Sequence, residues 1–501
     1  MLTLARVALA VCCLSALPGS IGAQGYRLRL DTRVQGVSYR GVALDSILAS
    51  DTVAGPGGGP VSPDGFAVRC VGADPYCSYF RPGAVRRGGP LTTLADLSLW
   101  GLGIAGLSVH ATARAGTDLG QTDVWPGAQP ALQLLEGYAQ YARSHWTMRF
   151  GRQAAGSRLG MTAFDGARLT LRDAARGLEA GGYLGWGLAR GAALPVTSPA
   201  LNPLDDFQPR QRQIVAGLGA GWTSAPLDVR LDYLREVDPR SDYFVSERVG
   251  IEAVGRPLAR VSVAAGATYD MAAGWWGAAE ASLGYADPRV HAMLGVRRYR
   301  PHFELWTIWG AFSPVPYHAV HGRVAVQVHK QLQLRARGER YAFEEADVVT
   351  PLVDVESRGW RWELGGTLVA HPSWALDLGY HAEFGPGAAS GGFGASVTYA
   401  PGTTLRVMAH AASLDRPLEF RFSDADLTVY GIDAEVAPSP RLRLALGATG
   451  YAEERARPDP AAFEWDQVRL TARVAVEFGR GADERALPRA IRRLPGGRSA
   501  R

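Results

Sequence analysis

The sequence predicts an all-β fold, a transmembrane antiparallel β-barrel of about 20 strands (18–22). Three observations predict it. A short export signal opens the chain. No later apolar run approaches the roughly 20 residues that a membrane helix needs. Two-residue alternation of apolar and polar side chains recurs through the body, in runs of about nine to twelve residues, the length of a tilted strand crossing a bilayer.

The signal spans residues 1–23. Met1–Arg6 carries one positive charge, Val7–Leu17 is an apolar core too short to span, and Ile21-Gly22-Ala23 supplies small residues before a cut ahead of Gln24. Cys12 follows Leu9-Ala10-Val11, a poor lipid-attachment box, and sits too early in the core. Removing the signal leaves Cys70 and Cys77. In an oxidising compartment two cysteines this close form a local disulfide, and no second Cys or His pair nearby supports a metal.

Residues 24–90 form a segment of their own. Tyr26–Ser38 alternates, with Arg27, Arg29, Asp31 and Arg33 against Tyr26, Leu28, Leu30 and Thr32, and is a candidate first strand. From Ile47 to Pro90 the motifs Gly55-Pro-Gly-Gly-Gly-Pro60, Pro63-Asp-Gly65 and Arg81-Pro-Gly83 interrupt regular structure. With its disulfide this stretch is a small cap, an external loop or a luminal constriction.

The barrel is assigned to 91–478. One face of a run holds Val468, Leu470, Ala472, Val474, Val476 and Phe478, the other Gln467, Arg469, Thr471, Arg473 and Glu477. Similar runs start at Leu107, Leu227, Trp374 and Leu405, and one reads continuously from Arg323 to Arg335. Ser224-Ala-Pro226, Ala286-Asp-Pro288, Ala400-Pro-Gly402 and Pro438-Ser-Pro440 are tight turns. Gly191–Gln211, Phe343–Asp354 and Glu453–Glu464 are longer joins, and short turns on one rim with long loops on the other are the barrel habit. Aromatics gather at run ends as interfacial girdles: Tyr141 and Trp146, Trp275 and Trp276, Trp306 and Trp309, Trp360 and Trp362, Phe463 and Trp465.

Residues 479–501 leave the strand pattern as a basic, disordered tail behind Phe478, the terminal-strand aromatic. From Arg480 onward this tail carries seven Arg against one Asp and one Glu. It and the signal's Arg6 account for the net charge of +5, so the body is near −1. The pI of about 9.0 therefore belongs to the tail, and a nucleic-acid surface is not implied.

Chemistry has little to build on. The chain lacks a Gly-x-Ser-x-Gly elbow, a Walker loop and a His-Glu-x-x-His helix motif. Gly217-Leu-Gly219-Ala-Gly221 is glycine alternation within a strand, since no helix follows. His302, His318, His321 and His329 have no supporting carboxylate spacing and read as interfacial histidines. No catalytic, cofactor or metal site is expected. By alternation Arg149, Arg168, Arg172, Arg230, Arg323, Arg335, Arg406, Arg443, Arg469 and Arg473 fall on the lumen side. They either guide anions or pair with Asp228, Asp232, Asp377, Glu363, Glu383 and Glu477 on neighbouring strands, and a body charge near zero favours pairing.

Gly151-Arg152-Gln153 followed by Phe164-Asp165-Gly166, flanked by Trp146–Phe150 and Arg168–Arg172, resembles outer-membrane porins of the substrate-selective and alginate-export-like class. The resemblance covers a short stretch and carries over no substrate. The expectation is a porin-like, non-enzymatic channel of the bacterial outer membrane. It would pass small hydrophilic solutes by diffusion, with an anion preference if the arginines are free. Its partners would be outer-membrane lipid and the barrel-assembly machinery. The alternative is a plugged barrel that binds a partner; an outer-membrane enzyme ranks below both.

Overall fold

The structure, a computed structural model, describes residues 25–480 apart from 56–57, 73, 121–130, 189–212, 238, 240–243, 301–315, 345–356, 386–387, 419–422 and 456–463. The signal and the tail beyond Arg480 lie outside the described residues. So do His302, Trp306, Trp309, Phe463 and most of the three long joins.

The chain runs through β1 (Gly25–Leu48), the short β2 (Val53–Ala54), β3 (Pro60–Val61) and β4 (Val68–Cys70), then β5 (Tyr76–Gly88). It continues through β6 (Pro90–Trp100), β7 (Leu107–Asp118), β8 (Leu132–Ala142), β9 (Trp146–Ser157), β10 (Gly160–Asp173) and β11 (Leu178–Gly187). Next come β12 (Ile214–Thr223), β13 (Leu227–Val237), β14 (Phe244–Leu258), β15 (Val261–Asp270), β16 (Trp275–Ala286) and β17 (Val290–Tyr299). β18 (Tyr317–His329), β19 (Leu332–Phe343), β20 (Arg358–His371), β21 (Trp374–Gly385) and β22 (Ala388–Tyr399) follow. The last are β23 (Leu405–Leu418), β24 (Ser423–Ser439), β25 (Leu442–Arg455) and β26 (Trp465–Arg480).

β1 and β6–β26 close into an antiparallel barrel of 22 strands, each paired with its neighbours, with β1 between β26 and β6. The count sits at the top of the expected range. Residues 25–36 are themselves a barrel strand, so the boundary drawn at Leu91 is too late. Opposite charges join the first strand to the last: Arg473 grips Asp31 through Nε at 2.7 Å and through Nη2, and Arg27 lies 3.2 Å from Glu477. Gly479 and Arg480 also belong to β26, which shortens the tail by two residues.

Alternation decides the two faces. Val468, Leu470, Val474 and Phe478 point outward and are exposed, while Ala475 between them is buried. The same outward exposure of Leu231, Leu283, Leu294, Leu334, Leu364 and Leu378 makes an apolar band that only hydrocarbon solvates well. No helix among the described residues is long and apolar enough to cross a membrane.

The reading of Arg323–Arg335 as one run is corrected. β18 ends at His329 and β19 starts at Leu332. A two-residue turn by itself reverses parity, but the register shift between Gln327 and His329 adds one residue and restores it, so the alternation passes through the hairpin unbroken. The other turns fall where expected, all on one rim. At Asp287 the carboxylate accepts from Arg289 N (2.7 Å) and Val290 N (2.8 Å), which holds its pKa below the ordinary carboxylate value. Tyr141 packs on Trp146 (5.3 Å) and Trp374 on Tyr399 (4.5 Å) at this rim, and Trp360 on Phe384 (4.9 Å) at the other, so both rims carry aromatics.

β1 leaves β26 at Gly36 and continues past the wall, pairing from Val37 to Leu48 with β5. Cys70 and Cys77 face each other across β4 and β5 and form the expected disulfide. The Pro/Gly-rich segment is thus a paired extension of one hairpin. Changing both cysteines to serine is expected to leave the barrel intact and to lower local stability at the tip by about 2 kcal/mol, from loop-closure entropy. Limited proteolysis checks this, with cleavage between residues 49 and 75 expected only in the variant. Equal resistance would mean that the β1–β5 ladder alone holds the tip.

Candidate functional site

The candidate site is the barrel lumen where β9 and β10 bend into it. Phe150 points outward in β9 and Leu169 and Leu171 in β10, so Arg149, Gly151, Gln153 and Ala155, with Phe164, Gly166 and Arg168, point inward. Above Arg152, β9 loses its pairing with β8, and β10 pairs with β11 only up to Phe164. Apart from the Ala163 carbonyl, which accepts from the Leu188 N–H at 2.8 Å, the hairpin tip from Ala154 to Ala163 keeps its own internal ladder and crosses toward β13–β16.

The two halves of the Gly-Arg-Gln and Phe-Asp-Gly motif are one cross-strand unit at this bend. Gly151 pairs with Gly166, Arg152 with Asp165 and Gln153 with Phe164. Gly151 has φ +125°, a conformation open to glycine, and a Cβ there would lie 2.3 Å from the Gly137 carbonyl oxygen. A Cβ on Gly166 would lie 2.1 Å from the Leu184 carbonyl oxygen. Both glycines therefore allow backbones to approach closely.

Arg152 grips Asp165 with a fork, Nε to Oδ1 at 2.8 Å and Nη2 to Oδ2 at 2.9 Å. Its Nη1 donates to the Leu134 carbonyl at 2.9 Å and so ties β9 to β8 where their ladder ends. Gln153 is buried and donates to the Gly166 carbonyl at 3.1 Å. Phe164 is fully buried, stacks on Tyr183 at 4.8 Å between centroids, and packs with Ala155 and Val215. Burying this ring favours the inward position by about 2 kcal/mol.

At the tip, Arg158 pairs with Glu280 at 3.0 Å, and its backbone N–H donates to Asp232 at 3.5 Å. Arg248 donates to the Leu159 carbonyl at 3.1 Å. Gly250 and Gly266 of the facing wall leave the space: a Cβ would meet Leu159 at 3.0 Å or the Arg158 guanidinium at 2.4 Å. Cavities flank the hairpin. One of about 280 Å³ is lined by Arg168, Thr170, Glu179, Arg230 and Asp232; one of about 490 Å³ is lined by Arg158, Gln213, Glu236, Arg248 and Asp270.

The ten arginines divide. Arg172 pairs with Glu179 (2.7 Å), Arg230 with Asp232 (3.1 Å), and Arg473 with Asp31. Arg335 pairs with Asp377 (2.6 Å) and reaches Glu363 (3.5 Å). Arg149 donates to Gln140 (2.7 Å) and lies over Tyr138, and Arg469 lies over Tyr451. Arg443 also has an interaction. Arg168, Arg323 and Arg406 have no ion pair among the described residues. Around Glu339, Arg297 and Arg361 (3.0 Å) add a further paired cluster. His318 and His321 stand on opposite faces of β18, an odd spacing apart, so they share no ligand. Among the described residues no His, Cys, Asp and Glu cluster could hold a metal.

The residues that sequence reasoning missed are the tip, Ser157–Gly160, and its receivers Glu280, Gly250 and Gly266, while that reasoning places Asp232 only as an arginine partner. The signal lay in the glycines of inward-facing positions. Gly217 is one: a Cβ there would lie 2.2 Å from the Tyr183 ring. Missing side chains on a lumen face mark space that another group fills.

No protein family and no curated protein matches the chain. Among solved structures, the copper transporter OprC is similar at a TM-score of 0.46 and 11% identity, over 92% of this chain and 81% of that one. The siderophore receptor PirA from Pseudomonas aeruginosa is similar at 0.41 and 9%, over 90% and 80%. OccK3 (OpdO) of Pseudomonas aeruginosa is similar at 0.35 and 9%, over 91% and 96%.

Proposed function

We propose that the chain is an outer-membrane channel through which small hydrophilic solutes diffuse passively. The observation that supports this most is the lumen itself, a charged, ion-paired wall with cavities on both sides of an inward hairpin. An apolar outer band and closed strand pairing support an outer-membrane barrel, and in this reading the assembly machinery inserts it through the last strand, near whose end Phe478 lies.

Selectivity follows from pairing. Four of the ten lumen arginines, Arg172, Arg230, Arg335 and Arg473, neutralise a carboxylate, and with a body charge near zero a strong anion field is not expected. Arg168 and Arg323 supply a weak preference. Planar-bilayer recording of the refolded protein is expected to show stable conductance steps and a small anion-selective reversal potential under a salt gradient. Arg168→Gln with Arg323→Gln is expected to move that potential toward cations. Silence from folded, inserted protein would replace this reading with the plugged, partner-binding barrel. An unmoved potential would assign selectivity to other residues.

A further inference from the structure

On the outside of the barrel, away from the lumen, the wall from β14 to β20 differs from its surroundings. Here five adjacent outward alanines, Ala253, Ala265, Ala267, Ala279 and Ala281, leave a shallow apolar groove of about 950 Å³. Cross-strand pairing continues the groove into basic residues. Ala267 pairs with Ala279, Ala279 with Arg298, Arg298 with His318, His318 with Ala342, and Ala342 with Arg358. In the adjacent row Ala281 pairs with Val296, Val296 with Val320, Val320 with Arg340, and Arg340 with Trp360.

Strand tilt gives these rows a slope. Ala253 and Ala265 lie well down their strands, whereas Arg298, His318 and Arg358 lie at or next to strand ends on the long-loop rim. One continuous surface therefore has an apolar lower part at acyl-chain depth and a basic upper part at headgroup depth. Glu344 is the carboxylate that faces this group. It takes a fork from Arg298 (2.7 and 3.0 Å) and lies 2.7 Å from His318. Arg340 and Arg358 face the same way and have no ion pair among the described residues. Guanidinium groups left toward lipid at an interface match phosphate oxygens in charge and fork geometry.

We propose that this outer face is a binding site for one membrane lipid that carries several acyl chains and phosphate groups on its headgroup. The chains lie along the alanine groove, where small side chains let them pack closely. Arg340 and Arg358 hold a headgroup phosphate, with Arg298 beside them and Trp360 at the same level. The site is independent of whether the lumen conducts.

The test uses the refolded protein in neutral detergent and native mass spectrometry, with diphosphorylated hexa-acyl lipid A as the probe. Dephosphorylated lipid A, phosphatidylglycerol and inorganic phosphate serve as comparisons. One lipid A per barrel is expected, with phosphatidylglycerol weaker and inorganic phosphate unable to compete. Arg340→Gln with Arg358→Gln is expected to weaken binding at least about tenfold. Ala267→Leu with Ala279→Leu, which fills the groove and keeps every charge, is expected to do the same. Heat-modifiable gel mobility shows that each variant is folded, and unchanged conductance shows that the lumen is untouched. Equal binding by the wild type and either double variant overturns the site. So does equal binding of the dephosphorylated probe, or many lipids bound without a preferred one.

Discussion

Replacing Ala154–Ala163 by an Asn-Gly turn is expected to raise single-channel conductance by about twofold or more, because the segment that crosses the lumen is removed. The cut is placed so that the wall survives it. Gln153 and Phe164 face each other across the ladder, and a two-residue turn joins such a pair without changing register. Every wall pairing of β10 with β11 from Phe164 to Asp173 remains, as does that of Arg152 with Gly137. Glu280 loses Arg158 and becomes a free carboxylate on the lumen surface, while Asp232 loses the Arg158 N–H and keeps Arg230. The reversal potential should then move toward cations along with the conductance increase. Unchanged conductance in a folded barrel would place the narrowest point elsewhere.

The second large effect is on stability. Gly166→Ala forces a Cβ to within 2.1 Å of the Leu184 carbonyl oxygen and 2.6 Å of the Gly185 Cα. These are backbone atoms of the adjacent wall strand and cannot rotate away, so overpacking of about 2–3 kcal/mol is expected. Gly151→Ala adds backbone strain at φ +125° to an approach of 2.3 Å to the Gly137 carbonyl, and is expected to cost a similar amount. Gly394→Ala is the control, since nothing lies within 4 Å of its added Cβ. It should be neutral or slightly stabilising, by up to about 0.5 kcal/mol. Urea unfolding of the refolded barrel in micelles measures all three. Equal midpoints would show that the bend relaxes without loss and would remove the structural role given to the motif.

These two experiments also separate the two things that the motif does. Its glycines permit the bend. Arg152, Asp165, Gln153 and Phe164 hold the bent hairpin down. A variant that keeps the glycines but loses the clamp, such as Phe164→Ala, leaves the wall and frees the tip.

The wall was legible because a membrane strand has two unlike solvents. Val468 to Phe478 could be assigned a face from alternation alone, since one side meets lipid and the other meets polar groups. Tight turns such as Ala286-Asp-Pro288 were legible from local chemistry, because Asp287 closes its own turn. Cys70 and Cys77 were legible from proximity. The same parity logic failed at Lys330-Gln331, where a two-residue turn together with the bulge before His329 leaves the alternation intact and hides a hairpin. It also left the arginines undecided. Alternation places Arg230 and Arg335 inward, but whether each is free depends on the registers that set Asp232 and Asp377 beside them.

The sequence by itself therefore determined the class of fold, the sidedness of its turns and the facing of most wall residues. All of these follow from strand periodicity and local turn chemistry, which need no distant partner. Tertiary structure alone decided the rest. Pairing of β1 with β26 and β6 set the barrel at 22 strands. Contacts over long sequence separations, from Arg158 to Glu280 and from Leu159 to Arg248, turned the β9–β10 hairpin into the lumen. Register across seven strands aligned scattered alanines and arginines into one outer surface. Each depends on which residues lie opposite one another after closure, and a two-residue period is blind to that.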